Sequence, residues 1–442
     1  MFNYSMVKLV RGHSTKLDKP LREAILDLYK PFRFTPCFLH RFLEKRLQTK
    51  QKLSVIIEFE RTAVFFHSFL MEQLLNGHGK SCVRNRFSSI SCCSAYITPE
   101  RLEFILSHCP SIKRIYLNRK IKALRFGHKA QKPGQPTKNT PGLLTGKGVT
   151  IAIIDTGVFQ HEDLAGRISG FVDFINGRAN AYDDNGHGTH CAGIAAGNGL
   201  LSNGTYNGMA PEANIIGIKV LDRTGTGTIE SIIQGVEWCI KYNQNHPSHP
   251  IHIISLSLGT HATKYMTEQD DPIVRMVEEA WKSGITVVTA AGNDGPDPFT
   301  IASPGVSEEV ITVGSLDTSH IYPSETFNTA PFSSRGPTIY GKRKPDLLAP
   351  GVDLISLRTP GSFIDRFQKS NRHEKHYTKM SGTSMSTPFC AGAAAMLLQS
   401  DVSLTPNMIK QLLVEGTSFV NADGVGQIDV ERSLDLLRRR NV

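Results

Sequence analysis

An uninterrupted run of apolar, mostly β-branched residues at 149–154, closed by an aspartate at 155, most constrains the fold of this 442-residue chain. A strand without a polar face is buried on both sides, as the strands of a parallel sheet are. Similar runs recur downstream, and amphipathic helical patterns separate them. The runs span 214–220, 251–258, 285–290 and 310–313, and the helical patterns include 229–242 and 272–282. This alternation predicts a three-layer α/β fold, with a parallel sheet and helices on both faces.

A smaller α+β unit is predicted ahead of this sheet. Residues 53–60 have the pattern of a strand, and an apolar helical pattern that includes Phe65 and Phe66 follows. A short strand, a helix over 99–109 and a strand region over 112–124 complete a β-α-β-α-β order. Residues 127–148 are rich in proline and glycine, which is typical of a linker. We therefore predict an N-terminal domain over 1–126, a linker over 127–148 and a large α/β domain over 149–442.

Charge is divided unevenly between these parts. The first 140 residues hold 26 lysines and arginines against nine aspartates and glutamates, whereas the remainder holds 24 against 31. Opposite signs favour docking of the two units on each other. The alternatives are a nucleic-acid-binding arm and a merely solvated surface. The basic residues are scattered and form no recognisable motif, so we expect no nucleic-acid partner.

The sequence also bears on compartment and assembly. No apolar stretch approaches the roughly 18 to 20 residues of a membrane span, and the start lacks the continuous apolar core of a signal peptide. The eight cysteines form no CxxC pair and no zinc-type spacing, which favours free thiols in a reducing compartment. We therefore expect a cytoplasmic protein without a membrane partner, and a monomer.

Three polar clusters interrupt the apolar pattern where strands end or helices begin. They are Asp155-Thr156-Gly157, His187-Gly188-Thr189-His190 and Gly382-Thr383-Ser384-Met385-Ser386-Thr387-Pro388. A buried carboxylate that accepts from an imidazole N–H fixes the histidine tautomer and stabilises the imidazolium. Asp155, His187 and Ser384 therefore suit an orienting acid, a general base and a nucleophile.

Two donors for a developing oxyanion can be named from the same patterns. A helix-favouring stretch of small residues follows the serine cluster, so Ser384 is predicted to cap a helix. Backbone amides at a helix N-terminus can stabilise negative charge on a carbonyl oxygen. Asn293 follows a predicted buried strand, and its side-chain amide is predicted to be the second donor.

In their order Asp, His, Ser, these motifs resemble the subtilisin-like serine proteases, the subtilases. The resemblance covers about residues 141–440. It implies a subtilisin-like fold, a triad of Asp155, His187 and Ser384, and an oxyanion hole that includes Asn293. It also implies a serine endopeptidase of broad specificity, with protein or peptide substrates, an acyl-enzyme mechanism and no cofactor for the chemistry. The implied substrate-binding residues are Gly225, Thr226, Gly227, Ser255, Leu256, Gly259, Ala290, Ala291 and Gly292.

The resemblance has two further implications. The N-terminal unit has the position and predicted strand order of a propeptide, which implies a partner within the same chain and cleavage between about Leu124 and Pro141. The segment around Asp163 resembles one whose aspartate binds Ca²⁺, with partner oxygens from residues 198–208. Asp183 and Asp184 are as well explained by a solvated turn as by metal binding. The residues are equally compatible with a structural calcium ion at Asp163 and with no metal.

The chain departs from the usual family pattern at two positions and leaves two alternative functions open. Ser386 stands where the family usually has alanine. Cys191 places a thiol near His187, either as a small buried helix residue or as a regulatory group. A catalytically silent or partner-activated binding protein with the same fold is the alternative function, and the complete triad disfavours it. A nucleic-acid-binding module fused to a hydrolase is the other.

Overall fold

Two units make up the chain, Met1–Arg119 and Lys120–Val442. A computed structural model describes residues 4–60, 64–75, 80–124, 144–317, 328–421 and 424–440. Most of the linker predicted over 127–148 lies outside the described residues, as do the side chains of Phe65 and Phe66. The division falls at Arg119 rather than at residue 126, so the strand that follows Arg119 belongs to the second unit.

The first unit contains an antiparallel sheet with helices. Its strands are β1 Leu53–Phe59, β2 Cys82–Phe87, β3 Cys92–Ile97 and β4 Ile112–Leu117, in the order β2-β3-β1-β4. Its helices are α1 Ser5–Gly12, α2 Lys19–Asp27, α3 Cys37–Lys50, α4 Val64–Leu75 and α5 Pro99–His108. Residues of α1 and α2, among them Met6, Leu21 and Ile25, share a core with Val55 and Ile57 of β1.

The predicted strand order of this unit is wrong in one respect. The chain order is β-α-β-β-α-β, because β2 was not recognised between α4 and β3. β2 pairs only with β3 in this sheet and exposes the side chains of Arg84 and Arg86. An edge strand with charged residues on one face lacks the continuous apolar run by which the buried strands were found.

Strands of the second unit form one large sheet and two small ones. The large sheet contains β6 Thr150–Asp155, β7 Ile168–Asp173, β8 Asn214–Lys219, β10 Ile253–Leu256, β12 Thr286–Ala290, β13 Ile311–Asp317, β14 Asn328–Thr329, β15 Leu347–Pro350, β19 Ser418–Val420 and β20 Gly426–Gln427. Its order is β19-β20-β15-β13-β12-β10-β6-β8-β7, with β14 beside β13. Among the described strands, neighbours from β20 to β7 in this order pair in parallel, whereas β14 and β19 pair antiparallel. The small sheets contain β5 Lys120–Ala123, β9 Thr226–Thr228 and β11 Leu258–Gly259, and β16 Leu354–Leu357, β17 Arg372–His373 and β18 Tyr377–Met380.

The helices of the second unit include a fully buried helix and helices that are buried on one side. The helices are α6 His187–Ala196, α7 Ile229–Asn245, α8 Pro272–Lys282, α9 Phe363–Phe367, α10 Thr383–Ser400, α11 Pro406–Glu415 and α12 Val430–Arg440. Every residue of α6 is buried, whereas α8 buries one side and begins at Pro272 after its N-cap Asp271. The predicted α/β fold with a small N-terminal α+β unit is confirmed. None of the described helices is long and apolar enough to cross a membrane.

Candidate active site

The ends of β6 and α6 bring Asp155 and His187 together. Nδ1 of His187 lies 2.8 and 2.9 Å from the two carboxylate oxygens of Asp155, and both side chains are fully buried. Burial lowers the pKa of His187, but the negative charge of Asp155, together with Cys191 and the hydrogen bonds to both side chains, holds this pKa well above its ordinary value. Because the carboxylate accepts from Nδ1–H, the neutral form of the imidazole, which is the form that can act as a base, carries its lone pair on Nε2.

Asp183 organises the loop before α6, and of the explanations left open for it the solvated turn does not hold. Its carboxylate is buried and accepts from the hydroxyls of Thr156 and Thr189, at 2.9 and 2.7 Å. It also accepts from the backbone amides of Asn185, Gly186 and Thr189. Asp183 thereby connects the turn after Asp155 to the first turn of α6. Its pattern in the sequence is that of a polar loop, and only the distant partners distinguish it.

Lys219 is a second organising residue that the sequence analysis missed. Its fully buried ammonium donates to the backbone oxygens of Thr156 and Leu221, at 2.6 and 2.9 Å, and to the carboxylate of Asp184 at 2.7 Å. A buried ammonium needs such partners, because desolvation otherwise costs several kcal/mol. In the sequence, a lysine at the end of an otherwise apolar strand could have indicated a buried ammonium with polar partners. Lys219 therefore holds the turn that follows Asp155.

Ser384 lies in the first turn of α10, and its predicted role as the helix cap is wrong. The helix begins at Thr383, and Gly382 is the N-cap, with φ 149°. The Ser384 hydroxyl is 2.5 Å from the carbonyl oxygen of Leu124 and 2.8 Å from that of Ser257. The Ser384 backbone amide donates to the same Leu124 oxygen at 3.4 Å. A peptide carbonyl therefore lies against the hydroxyl and the amide of this serine.

The structure records no hydrogen bond between Ser384 and His187. Within the described part of the chain, the buried Nε2 of His187 has no hydrogen-bond partner. The Ser384 hydroxyl instead faces the carbonyl oxygens of Leu124 and Ser257. Asp155 and His187 are thus hydrogen-bonded to each other through Nδ1, while Nε2 of His187, the atom that would accept a proton, has no partner.

Asn293 has one end of its amide fixed and the other unpaired. Its Oδ1 accepts from the backbone N–H and the hydroxyl of Thr383, at 3.0 and 2.9 Å. Its buried Nδ2 has no hydrogen-bond partner among the residues that the structure describes. Because Thr383 precedes Ser384, the same contacts bring the side chain of Asn293 next to the N-terminus of α10. The donor end of the amide is left available.

An extended segment of this chain lies between the two strands expected to bind substrate. β5 pairs antiparallel with β9 and with β11. Ile121 is opposite Gly227, and Lys122 is opposite both Thr226 and Gly259. At the end of β5, Ala123 N–H donates to Gly225 O at 3.0 Å, and the next residue, Leu124, donates from its N–H to Ser257 O at 3.3 Å. Residues 120–124 therefore lie in the cleft between β9 and β11. The prediction that grouped them with the strand region of β4 is wrong.

The remaining residues of the predicted pocket lie in buried strands and the turns after them. Ser255 and Leu256 are in β10, Ala290 ends β12, and Ala291 and Gly292 follow it. All five are buried. Glycine is required at two positions here. A Cβ on Gly259 would lie 3.0 Å from Cδ1 of Leu124, and Gly292 has φ +113° with Ser334 Oγ 2.6 Å from where a Cβ would be.

Cys191 lies beside the pair of Asp155 and His187. Its buried Sγ is 3.8 Å from His187 Nδ1, and its S–H donates to Ser384 O at 3.4 Å. Burial raises the pKa of this thiol. Among the described residues, Asp155, His187 and Cys191 are the one group of side chains whose potential metal-ligating atoms lie within 4.8 Å of one another.

We expect bulky mercurials to abolish hydrolysis by attaching to Cys191 and displacing the imidazole of His187. Cys191→Ala is expected to remove that sensitivity while hydrolysis persists. The measurement is the residual rate of peptide hydrolysis after exposure to a mercurial. Cys239→Ala is the matched control, because Cys239 is equally buried but lies in α7. Sensitivity that survives in Cys191→Ala and disappears in Cys239→Ala would show that another thiol is responsible.

The donor set around Asp163 does not fit the calcium ion that the resemblance implies. The carboxylate is fully buried, and both of its oxygens accept hydrogen bonds from the chain itself. Leu201 N–H donates to Oδ1 at 3.0 Å, and the Tyr377 hydroxyl donates to Oδ2 at 2.7 Å. Calcium is bound by oxygen atoms, whereas these neighbours present hydrogens.

Comparisons with known proteins agree with this geometry. The Peptidase_S8 model, described as the Subtilase family, matches residues 146–430. The serine protease AprX of Bacillus subtilis strain 168 is 53% identical over 98% of this chain and 99% of its own length. A thermostable alkaline protease of Halalkalibacterium halodurans is 35% identical over 63% of this chain and 64% of its own.

Two solved structures are also similar. Fervidolysin from Fervidobacterium pennivorans, a keratinolytic enzyme related to subtilisin, has a TM-score of 0.66 at 20% identity, covering 87% of this chain and 61% of its own. At that identity the likeness shows the fold alone. A cold-adapted subtilisin-like serine proteinase has a TM-score of 0.50 at 30% identity, covering 68% of this chain and 94% of its own.

Proposed function

The chain belongs to the subtilase family and is a serine endopeptidase, and from this premise we propose the role of each residue in its site. Ser384 attacks the peptide carbonyl, His187 takes and returns the proton, and Asp155 orients His187. The Ser384 amide and the Asn293 Nδ2 hold the oxyanion. The observation that carries the proposal is the Leu124 carbonyl, which lies against the hydroxyl and the amide of Ser384.

The unpaired atoms of the site support this mechanism. In the attack, the Ser384 O–H proton moves to the free Nε2 of His187 as Oγ bonds to the carbonyl carbon. The carboxylate of Asp155 stabilises the imidazolium that results. The carbonyl oxygen becomes an anion, which accepts from Ser384 N–H and from the unused Nδ2 of Asn293. Collapse expels the amine with the proton from His187, and water then hydrolyses the acyl-enzyme by the reverse use of the same groups.

Substrate is proposed to bind as β5 does, in an extended conformation between β9 and β11. Main-chain hydrogen bonds supply affinity with little dependence on sequence, which supports broad specificity. The side chain before the scissile bond takes the place of Leu124, beside Gly259. Proteins and peptides are therefore the proposed partners of the cleft. The eight free cysteines support a cytoplasmic location, and we propose that the enzyme acts there as a monomer.

The N-terminal residues 1–124 are proposed to be a propeptide that the enzyme removes from itself. The support is the pairing of β5 with β9 and β11, together with the position of the Leu124 carbonyl. A substrate peptide bound for cleavage would present the carbonyl of its scissile bond to Ser384 in the same way as Leu124 does. The proposed processing site is therefore the bond between Leu124 and Arg125, at one end of the range 124–141 that the sequence indicated.

We expect purified protein to lose residues 1–124 with time, leaving a fragment that begins at Arg125. Leu124→Asp is expected to slow this cleavage by at least about 100-fold, because a carboxylate would be partly buried beside Gly259 in place of an apolar side chain. The measurement is the intact mass as a function of time. Lys122→Ala is the control, because the Lys122 side chain in the same strand is exposed and its loss is expected to leave the rate unchanged. An active enzyme that retains Met1 would contradict the proposal.

A further inference from the structure

We propose that hydrogen-bond donors of this chain take the place of the calcium ion that the family resemblance predicts at Asp163. Three residues define the cluster that we call the Asp163 cluster: Asp163, Leu201 and Tyr377. The carboxylate at its centre has no exposed surface, and the tyrosine ring is fully buried. The folded chain thus satisfies this carboxylate by itself, and the Asp163 cluster contributes to stability without calcium.

The two carboxylate oxygens have one donor each. Leu201 N–H donates to Oδ1 of Asp163 at 3.0 Å, and the Tyr377 hydroxyl donates to Oδ2 at 2.7 Å. Hydrogen bonds to a charged acceptor are shorter and stronger than those between neutral groups. A buried carboxylate with two such donors has the partners that burial requires.

The backbone of Asp163 is equally occupied. Its N–H donates to Nδ1 of His161 at 3.1 Å, and Nε2–H of that histidine donates to the backbone oxygen of His376, also at 3.1 Å. Its carbonyl oxygen accepts from the backbone N–H of Asn198 at 3.0 Å and from the guanidinium of Arg167. The positive charge of Arg167 therefore lies close to Asp163 and opposes binding of a second cation there.

A calcium site would need a different set of neighbours. Ca²⁺ takes six to eight oxygen ligands at about 2.3 to 2.6 Å, usually with several carboxylates. In the described ranges, no group of three metal-ligating side chains includes Asp163. The side-chain oxygen of Asn198, in the loop expected to supply ligands, accepts from Leu200 N–H at 3.0 Å. Protons and a guanidinium thus occupy the places around Asp163 that ligand oxygens would take.

The Asp163 cluster connects distant parts of the chain near α6. Leu201 and Tyr377 are 38 and 214 residues from Asp163. Tyr377 begins β18, and the next carbonyl, that of Thr378, lies 3.1 Å from Nε2 of His190 in α6. Hydrogen bonds between Asp163 and Tyr377 and between Thr378 and His190 therefore connect the Asp163 cluster to α6, and no metal ion is needed for this connection.

The first test compares melting temperatures with and without calcium. Ser384→Ala protein prevents self-digestion, and it would be melted in excess EDTA and in millimolar CaCl₂. We expect the two midpoints to agree within about 1 °C. An ion present at a hundred times its Kd would instead raise the midpoint by about 3 to 4 °C. Calorimetric titration of the same protein with CaCl₂ is expected to show no saturable binding that depends on Asp163.

The second test removes the donor hydroxyl. Tyr377→Phe in the Ser384→Ala background is expected to lower the melting temperature by about 2 to 4 °C, equally in both buffers. Tyr206→Phe is the control, because the Tyr206 hydroxyl bonds to the partly exposed His373, at 2.7 Å from Nε2. That variant is expected to shift the midpoint by less than about 2 °C.

Calcium-dependent stabilisation or binding that Asp163→Asn abolishes would overturn the proposal. A calcium response that persists in Asp163→Asn places the ion elsewhere and leaves the proposal standing. If Tyr377→Phe fails to fold, the comparison of EDTA with CaCl₂ in Ser384→Ala protein still decides between the two accounts, because that comparison needs no change in the Asp163 cluster.

Discussion

Replacing Ser384 by alanine is expected to lower the rate of peptide-bond hydrolysis by about 10⁶-fold, the loss found when the nucleophile of subtilisin is removed. Without the hydroxyl no acyl-enzyme can form, and the residual rate comes only from binding and the oxyanion donors. The variant is therefore expected to keep its full length while wild-type protein is trimmed. Hydrolysis of casein or a peptide substrate, measured beside intact mass, checks both effects.

Ser386→Ala is the matched control for that experiment. Ser386 lies two residues further along α10, and its hydroxyl donates to Ala349 O at 3.0 Å, away from the Leu124 carbonyl. We expect this variant to hydrolyse casein at nearly the wild-type rate and to react with a fluorophosphonate, whereas Ser384→Ala does not react. Undiminished hydrolysis by Ser384→Ala would refute the triad assignment. Failure of wild-type protein to cut or react would instead favour the partner-activated alternative.

Replacing Asn293 by aspartate is expected to lower kcat by about 100 to 1,000-fold, the usual effect of losing one oxyanion donor. Aspartate keeps an oxygen that can accept from Thr383 but has an oxygen in place of Nδ2. The lost donor acts mainly in the transition state, because the negative charge develops there. KM is therefore expected to change little. Steady-state kinetics on one peptide substrate would separate the two constants.

Thr383→Ser is a suitable control for Asn293→Asp. It retains the hydroxyl that donates to Oδ1 of Asn293 at 2.9 Å, so the amide keeps its orientation. We expect its kcat to stay close to the wild-type value. A rise in KM at constant kcat in Asn293→Asp would show that the side chain binds substrate and transition state equally, which would contradict its role in the oxyanion hole.

Local pattern was sufficient for the elements that position the site. β6 was predicted because it continues a mostly β-branched run without a polar face up to Asp155, and α8 begins and ends at the residues that its periodicity indicated. Asp155 and His187 stand at the end of a strand and the start of a helix, where motif order alone predicted their meeting. These features depend on neighbours in sequence or on a motif of fixed spacing.

Features that depend on distant partners were not predictable in this way. Asp183 belongs to a polar loop, and its burial follows from Thr156, which is 27 residues away. β5 continues a basic, partly apolar region after β4, but it pairs with β9 and β11. A short strand has the same sequence pattern whichever strand it pairs with. The pairing partner of β5 is therefore determined by the tertiary structure and not by its own residues.

The position of β5 also determines how the cleft responds to dilution. A segment on the same chain has an effective concentration near the cleft that is about millimolar for a short flexible connection and does not fall when the protein is diluted. An external peptide must compete with that fixed value, whatever the protein concentration. Occupancy of the cleft is therefore a unimolecular property of the chain, and it ends only when a covalent bond is cut or residues 120–124 leave β9 and β11.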